Sequence, residues 1–137
     1  MIIMSVDYGD VRTGIAVCDK MQILASPVCV ITEKDREKLA DKIKDLAIER
    51  KVERICVGVP QNMDGSYGFR SEACKEFGAL LNEKTGIQVD FQNERLTTVS
   101  AHNILNTMDV RGKKRKAVVD AVSAVLILED YMNSLKA

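Results

Sequence analysis

Short apolar stretches alternate with polar turns at the start of the chain. Met1 to Val6, Gly14 to Cys18 and Pro27 to Ile31 are rich in aliphatic residues, and the turns between them contain Gly, Asp and Ser. Runs of this length bounded by such turns are typical of strands. The pattern therefore predicts three consecutive strands of an antiparallel meander.

Apolar residues recur at helical spacing from Lys34 to Arg50, where Thr32 and Asp35 are spaced as a capping box. Arg54 to Pro60 is almost unbroken in its apolar character, which suits a strand covered on both faces. The remaining predicted elements are a helix from Phe69 to a C-cap at Gly86, a strand over Gln88 to Gln92, and helices over about Thr98 to Met108 and Lys116 to Asn133. The order βββαβαβαα predicts an α/β fold with a mixed five-stranded sheet flanked by helices.

The composition narrows the class of protein. With 137 residues, 46% hydrophobic and 29% charged, we expect residues 1–137 to form a single domain. The net charge is zero, so attraction to nucleic acid must come from a local patch. No apolar run reaches membrane-spanning length, and the four cysteines have no C-x-x-C spacing, so we expect a cytoplasmic protein with reduced thiols and no membrane partner.

Three acidic residues lie at the edges of predicted core elements. Asp7 ends the first strand, Glu94 follows the fifth strand, and Asp120 opens an apolar helix. A carboxylate beside a core must be paired, hydrogen-bonded or metal-bound, because burying it without a partner costs several kcal/mol on the order given for buried ions. Taken singly, Asp7 could be a turn residue, Glu94 a solvated loop acid and Asp120 a first-turn acid that interacts with the helix dipole. Together they suggest a site.

Basic and amide side chains lie close to these acids along the chain. Five of the six residues from Arg111 to Lys116 are basic, and the run leads directly to Asp120. A charge run of this kind is either a solvated loop or a patch that contacts phosphates. Asn62 lies in a strand-to-helix loop that could contact a phosphate or sugar, or could only cap the next helix.

Four motifs then support a family resemblance. They are Val6-Asp7-Tyr8-Gly9 with Arg12 and Gly14, Val57 to Pro60 with Asn62 to Ser66, Glu94 to Thr98 with Ala101, and Val119-Asp120 with Ala124 to Leu128. Together they resemble the bacterial YqgF/RuvX family over nearly the whole chain, in the family's order and spacing. The resemblance implies an RNase H-like fold, related to the RuvC resolvases, and a metal-dependent nuclease that matures the 5′ end of precursor 16S ribosomal RNA or resolves Holliday junctions.

The resemblance also implies roles for individual residues. The family's acidic positions fall on Asp7, Glu94 and Asp120, which would be the catalytic metal ligands. Oxygen ligands suit Mg²⁺ or Mn²⁺. The nucleic-acid-binding residues would be Arg12, Asn62, Arg95, Arg111, Lys113, Lys114, Arg115 and Lys116.

This chain departs from the wider pattern at two positions. Asn93 stands where the family usually has an acid before the glutamate. Ser123 stands about one helical turn after Asp120, where relatives with four carboxylates carry another acid, which leaves the second metal site open.

Other functional classes remain open from the sequence. The actin and hexokinase-like ATPases share an acid-glycine hairpin, but they close two such domains over a nucleotide, and this length supplies one. A non-catalytic RNA-binding or assembly factor is a further alternative. Resolving a junction calls for a symmetric dimer whereas trimming RNA needs only a monomer, and no residue reveals the oligomeric state. The residues do not choose between structured RNA and branched DNA, but the family resemblance favours structured RNA.

Overall fold

The structure, a computed structural model, describes residues 1–60, 69–93 and 112–136, with side chains except at 69, 70, 112–121 and 136. Its strands and helices in chain order are β1 (Ile3–Asp7), β2 (Arg12–Cys18), β3 (Ala25–Thr32), α1 (Arg36–Glu49), β4 (Arg54–Val59), α2 (Phe69–Thr85), β5 (Gln88–Asn93) and α3 (Gly112–Lys136). This order confirms the predicted elements within the described residues. The helix predicted over Thr98 to Met108 lies outside them.

The prediction for the start of α1 is wrong in one detail. Thr32 does not form a capping box, because it is the last residue of β3 and pairs with Arg12. Asp35 is the N-cap, and its carboxylate accepts hydrogen bonds from the amides of Glu37 and Lys38 at 2.9 and 3.2 Å. An aspartate in this position satisfies amides that have no partner within the helix.

The last helix is longer at its amino end than the sequence suggested. It includes Gly112, four residues before the predicted start at Lys116, so the basic residues Lys113 to Lys116 are helical. Lys and Arg have good helix propensity, which explains why a basic run that resembles a loop can extend a helix. At the end of α2, Gly86 has φ of 72° and its amide bonds the Asn82 carbonyl, which confirms the predicted C-cap.

The five strands form one mixed sheet in the order β3-β2-β1-β4-β5. β1, β2 and β3 pair antiparallel, as the meander predicted, whereas β1, β4 and β5 are mutually parallel. The three parallel strands therefore end at the same edge of the sheet, at Asp7, Val59 and Asn93. We call this edge the carboxyl edge; in open α/β sheets it is where ligands bind.

Helices cover both faces of the sheet. Alternate residues of β1 point to opposite faces, so Met4 and Val6 pack under α1 and α2 while Ile3 packs under α3. The core under α1 and α2 includes Ile43, Ile55, Val57, Phe77 and Leu81, and the core under α3 includes Cys56, Ala124, Ile127, Leu128 and Tyr131. β4 contributes to both cores, as its apolar sequence predicted.

Ion pairs join the two helices on the first face. The guanidinium of Arg36 lies 3.3 Å from Glu76, and Lys84 Nζ lies 2.9 Å from both Glu37 and Asp41. Among the helices that the structure describes, none has the length and apolar character needed to span a bilayer. All four cysteines are free thiols.

Candidate active site

Asp7 is half-buried at the carboxyl end of β1. Strand alternation places it on the same face as Ile3 and Ser5, which is the face covered by α3. Ser5 is fully buried, and its hydroxyl donates a 2.5 Å hydrogen bond to the backbone carbonyl of Ala124 in α3. This bond fixes the register between the strand that carries Asp7 and the last helix.

The last helix runs in the opposite direction to β1. Arg54, which pairs with Ile3 in the sheet, donates a hydrogen bond to the Tyr131 hydroxyl at 3.3 Å. Ser5 comes later than Ile3 in β1, but it bonds Ala124, which comes earlier than Tyr131 in the helix. From Ser5 to Asp7 the strand advances about 6.6 Å, and four helical residues advance about 6 Å. Helix position 120 is therefore level with Asp7, on the extension of the stripe that faces the sheet.

The third predicted acid follows β5 in the sequence, and β5 ends at the same edge of the sheet. β4 pairs with β1 on one side and with β5 on the other, in a row that contains Val6, Val57 and Phe91. Two strand spacings amount to about 9.6 Å, which is the separation between β1 and β5. Glu94 comes directly after Asn93, the last residue of β5, and lies outside the described residues.

Gly58 separates the two acid-bearing strands on this level of the sheet. It pairs with Gln92 of β5 and follows Val57, the last β4 residue paired with β1. Cys56, two residues earlier in β4, faces α3, so by strand alternation Gly58 also faces the α3 side of the sheet. Glycine places no side chain on that side of the sheet.

A tight turn connects Asp7 to Arg12, as the glycine in this segment predicted. A Cβ at Gly9 would lie only 2.0 Å from the Arg12 carbonyl oxygen, so no other residue fits without movement of the backbone. The Gly9 amide donates to the Thr13 hydroxyl at 3.3 Å. The turn places half-buried Arg12 at the carboxyl edge, at the start of β2.

The other predicted site residues are described only in part. Asp120 and the basic residues Lys113, Lys114, Arg115 and Lys116 lie in α3, but the structure describes only their backbone. Asn62, Glu94, Arg95 and Arg111 lie outside the described residues. Within the described part of the chain, no group of three or more acidic, His or Cys side chains could hold a metal ion. The three-acid metal site therefore stays a prediction.

The sequence reasoning missed the side chains that surround Asp7. Tyr8 stacks on Phe77 with ring centroids 4.3 Å apart. Ser5 bonds to α3. Strand alternation alone could have placed Tyr8 opposite to Asp7, but only the fold identifies its partner on α2.

A mixed sheet of this order, flanked by helices on both faces, is the RNase H-like fold. Two resolvase structures share this fold with the chain. RuvC of T. thermophilus in complex with Holliday junction substrate has a TM-score of 0.62 at 10% identity, with 99% of this chain and 96% of that chain covered. A Fowlpox virus resolvase bound to Holliday junction DNA has a TM-score of 0.60 at 12% identity, with both chains covered completely.

The sequence match specifies the family. Residues 1–134 match RuvX, described as Holliday junction resolvase, and the chain belongs to this family of nucleases. A Heliobacterium modesticaldum protein is 42% identical, over 98% of this chain and 90% of its own length. One from Halothermothrix orenii is 44% identical, over 97% and 95%. Both relatives carry the name "Putative pre-16S rRNA nuclease".

Proposed function

We propose that this protein is a metal-dependent nuclease that cleaves precursor 16S ribosomal RNA in the cytoplasm to mature its 5′ end. The observation that carries the proposal is the hydrogen bond from Ser5 to Ala124, because it brings helix position 120 level with Asp7 at the carboxyl edge. The names of the relatives support the choice of RNA. The four free thiols agree with a reducing compartment.

The three acids would form one metal site on the α3 side of the sheet. Asp90 of β5 accepts a hydrogen bond from Tyr131 of α3, so it faces that side. If the alternation of β5 continues for one residue beyond Asn93, Glu94 faces the same side as Asp90 and Asp7. Gly58 would then place no side chain between these strands. Carboxylates alone are hard ligands, which favours Mg²⁺ or Mn²⁺.

When bound, the metal ions supply Lewis-acid activation of water and neutralise the charge that develops on a phosphodiester during in-line attack. The protein's own residues hold the site in place. Asp7 is held by the sheet on one side, where it pairs with Gly14, and by the tight Gly9 turn on the other. Position 120 is held by the packing of α3 on the sheet. No side-chain general base is required in this arrangement.

The basic start of α3 would bind the nucleic acid backbone. Residues three or four apart share one face of a helix, so Lys116 and Lys113 lie on the same face of α3 as Asp120. A phosphate chain that passes Asp120 therefore meets these lysines first. Arg12 is placed at the same edge by the turn after Asp7. We assign the other backbone contacts to Asn62, Arg95, Arg111, Lys114 and Arg115.

A cleavage assay with a Mg²⁺ or Mn²⁺ titration tests the proposal. Replacing Asp7 with Asn should reduce cleavage of a precursor 16S ribosomal RNA fragment to background, with an unchanged circular dichroism spectrum. Asp45→Asn is the matched control, since Asp45 is an exposed acid on α1 and its replacement should leave the rate unchanged. Full activity of the Asp7 variant would contradict the metal site. Absence of metal-dependent cleavage by the wild-type protein would favour a non-catalytic RNA-binding module.

The role of the basic residues predicts a separate effect on binding. Replacing Lys113 and Lys114 with Ala should weaken RNA binding for all sequences and reduce the slope of log K against log salt by about 1–2. Filter binding at several salt concentrations measures this slope. An unchanged slope would indicate that Lys113 and Lys114 lie on a solvated helix face and do not contact the RNA.

Holliday junction resolution is the second candidate, because the family description and the two resolvase structures favour it. Junction resolution requires two sites related by two-fold symmetry, whereas RNA trimming by a domain that spans residues 1–137 needs one. Cleavage of both substrates should therefore be compared, with sedimentation measuring the oligomeric state in the same buffer. Paired cuts in junction DNA by a dimer would favour the second candidate.

A further inference from the structure

A groove lies between α2 and β5, the strand at one end of the sheet order. Its volume is about 290 Å³, just below the size at which pockets for drug-sized ligands usually begin, so it suits one planar group better than a larger molecule. The residues that line it are Lys75, Gly78, Ala79, Asn82, Val89 and Phe91. Positions 78 and 79 carry only a glycine and an alanine, so α2 places little side-chain volume between Lys75 and Asn82.

Phe91 presents an aromatic ring in this groove. A Cβ at Gly78 would lie 2.5 and 2.6 Å from two atoms of the ring, so the ring lies directly against the backbone of α2. Val89, on the same face of β5, packs against the core, whereas 43% of Phe91 stays exposed. Of the aromatic side chains that the structure describes, Phe91 is the only exposed one. Its ring is therefore supported by the helix while part of its surface faces solvent.

The ring lies close to the carboxyl edge. Phe91 is in the sheet row that contains Val57 and Val6, and Val6 is the residue before Asp7. Glu94 comes three residues after Phe91, which is at most about 10 Å along an extended chain. A stacked strand rises about 3.4 Å per nucleotide, so the ring can meet a base about three nucleotides from a phosphate at the proposed metal site.

Lys75 lies at the end of the groove nearer the carboxyl edge. The side-chain amide of Asn82 donates to the Ile87 carbonyl, just before β5, at 2.9 Å. The earlier helix residue Gly78 lies against Phe91, later in the strand, so α2 runs in the opposite direction to β5. Lys75 is nearly one turn before Gly78 and therefore lies further toward the carboxyl edge. The groove thus combines an aromatic surface for a base with a positive charge for the backbone phosphates.

We propose that this groove binds one unpaired base of the nucleic acid substrate, stacked on Phe91, with the adjacent phosphate beside Lys75. The inference rests on the proposed function and adds to it the element of the substrate that the protein recognises, a single-stranded segment next to the cut. Stacking of a base on an aromatic side chain tolerates any sequence, because every base has a π-face.

The position of the groove explains why the segment must be unpaired. Phe91 faces the α2 side of the sheet, whereas Asp90 and the proposed metal site face the α3 side. A strand that reaches both must pass around the carboxyl end of β5. A duplex has a persistence length of about 50 nm and keeps its bases paired, so it cannot make this turn and present a base to the ring. The groove therefore favours trimming beside a single-stranded flank over cleavage of a fully paired junction.

Binding without divalent metal tests the groove separately from cleavage. Single-stranded RNA oligonucleotides would carry a fluorescent purine analogue at each position in turn, and stacking on Phe91 should quench it at one of them. Phe91→Leu keeps an apolar side chain but removes the ring. We expect its Kd for the single strand to rise about tenfold, as for the loss of one base–aromatic stack, with the quenching abolished. Phe91→Tyr should retain both, and the Kd for an RNA duplex should be the same in all three proteins.

Ile23→Ala is the matched control. Ile23 is 73% exposed in the turn between β2 and β3, so its replacement removes exposed apolar surface far from β5 in the strand order. Its Kd for the single strand should equal that of the wild type. An abasic nucleotide at the quenched position adds a test that needs no variant. It should weaken wild-type binding as much as Phe91→Leu does, and should cost nothing further in that variant, because base and ring form one contact.

An unchanged single-strand Kd in Phe91→Leu, or an equal loss of duplex binding, would overturn the proposal. The first result would leave the groove to another occupant, such as an extended peptide that adds to the edge of β5. Failure of the proposed function gives a different result, since the wild-type protein would then bind and quench the single strand without cleaving it in Mg²⁺. Failure of the groove alone would leave Mg²⁺-dependent cleavage that does not depend on Phe91.

Discussion

Gly9→Ala is the sharpest test of how the turn after β1 supports the site. A Cβ at this position would lie 2.0 Å from the Arg12 carbonyl oxygen and 3.1 Å from its carbonyl carbon. Carbon–oxygen contacts in proteins begin at about 3.3 Å, so the two atoms must separate by about 1.3 Å. Both neighbours are backbone atoms, and no side chain can rotate away to relieve the contact.

The movement should affect stability moderately and catalysis strongly. Because Arg12 is held in the sheet by its pairing with Thr32, the strain falls on the turn and on Asp7, two residues before Gly9. Overpacking of this kind costs about 1–3 kcal/mol of unfolding free energy. Misplacement of a reacting group by about 1 Å can cost about a hundredfold in rate. We therefore expect kcat to fall about a hundredfold at saturating Mg²⁺, in a protein that still folds.

Single-turnover cleavage and urea unfolding measure the two effects on the same preparation. Gly86→Ala is the matched control, because Gly86 has φ of 72° and no atom within 4 Å of the added Cβ. Alanine in this conformation costs about 1–2 kcal/mol, a similar loss of stability, but it lies beyond the end of α2, away from the carboxyl edge. A Gly9→Ala protein with the wild-type rate, or a Gly86→Ala protein with an equal loss of rate, would refute the reasoning.

Two further predictions concern charge. Burial raises the pKa of Asp90, but hydrogen bonds, first that from Tyr131, outweigh it and hold the pKa below its ordinary value. The resulting stabilisation is present above the unfolded pKa of about 3.9 and is lost as the pH falls through the folded pKa. Asp90→Asn should therefore lower the free energy of unfolding at pH 7, and the difference from the wild type should shrink as the pH is lowered in an acid denaturation series. Lys84→Met removes two surface ion pairs, with Glu37 and Asp41, and should lower the stability measured by urea unfolding slightly in low salt and leave it nearly unchanged in 1 M salt.

The predicted elements and the observed ones agree where local pattern decides the outcome. The short apolar run of β1 was sufficient to predict a strand, and the unbroken apolar run of β4 was sufficient to predict a strand covered on both faces. Gly86 was sufficient to predict the end of α2. The pattern failed at Thr32, because the residue pairs with Arg12 in the sheet and so cannot cap a helix. The sequence pattern also placed the start of the last helix at Lys116, later than the observed start at Gly112, because a run of lysines and arginines is compatible with both a loop and a helix.

The candidate site also has one part that the sequence could predict and another that it could not. Asp7 could be predicted from the sequence because an acid that ends an apolar strand is a local feature. The chain alone could not show that Ser5 bonds Ala124 or that Tyr8 stacks on Phe77, because these partners are distant in sequence and meet only through packing.

The sequence by itself therefore predicted the strands and helices that the structure describes, the family resemblance and the candidate site residues, since each depends on short-range periodicity or on residue type. The tertiary structure decided the register of α3 on β1 and the contacts that fix both sides of Asp7. These depend on which side chains of distant segments fill the same space, and no local pattern contains that information.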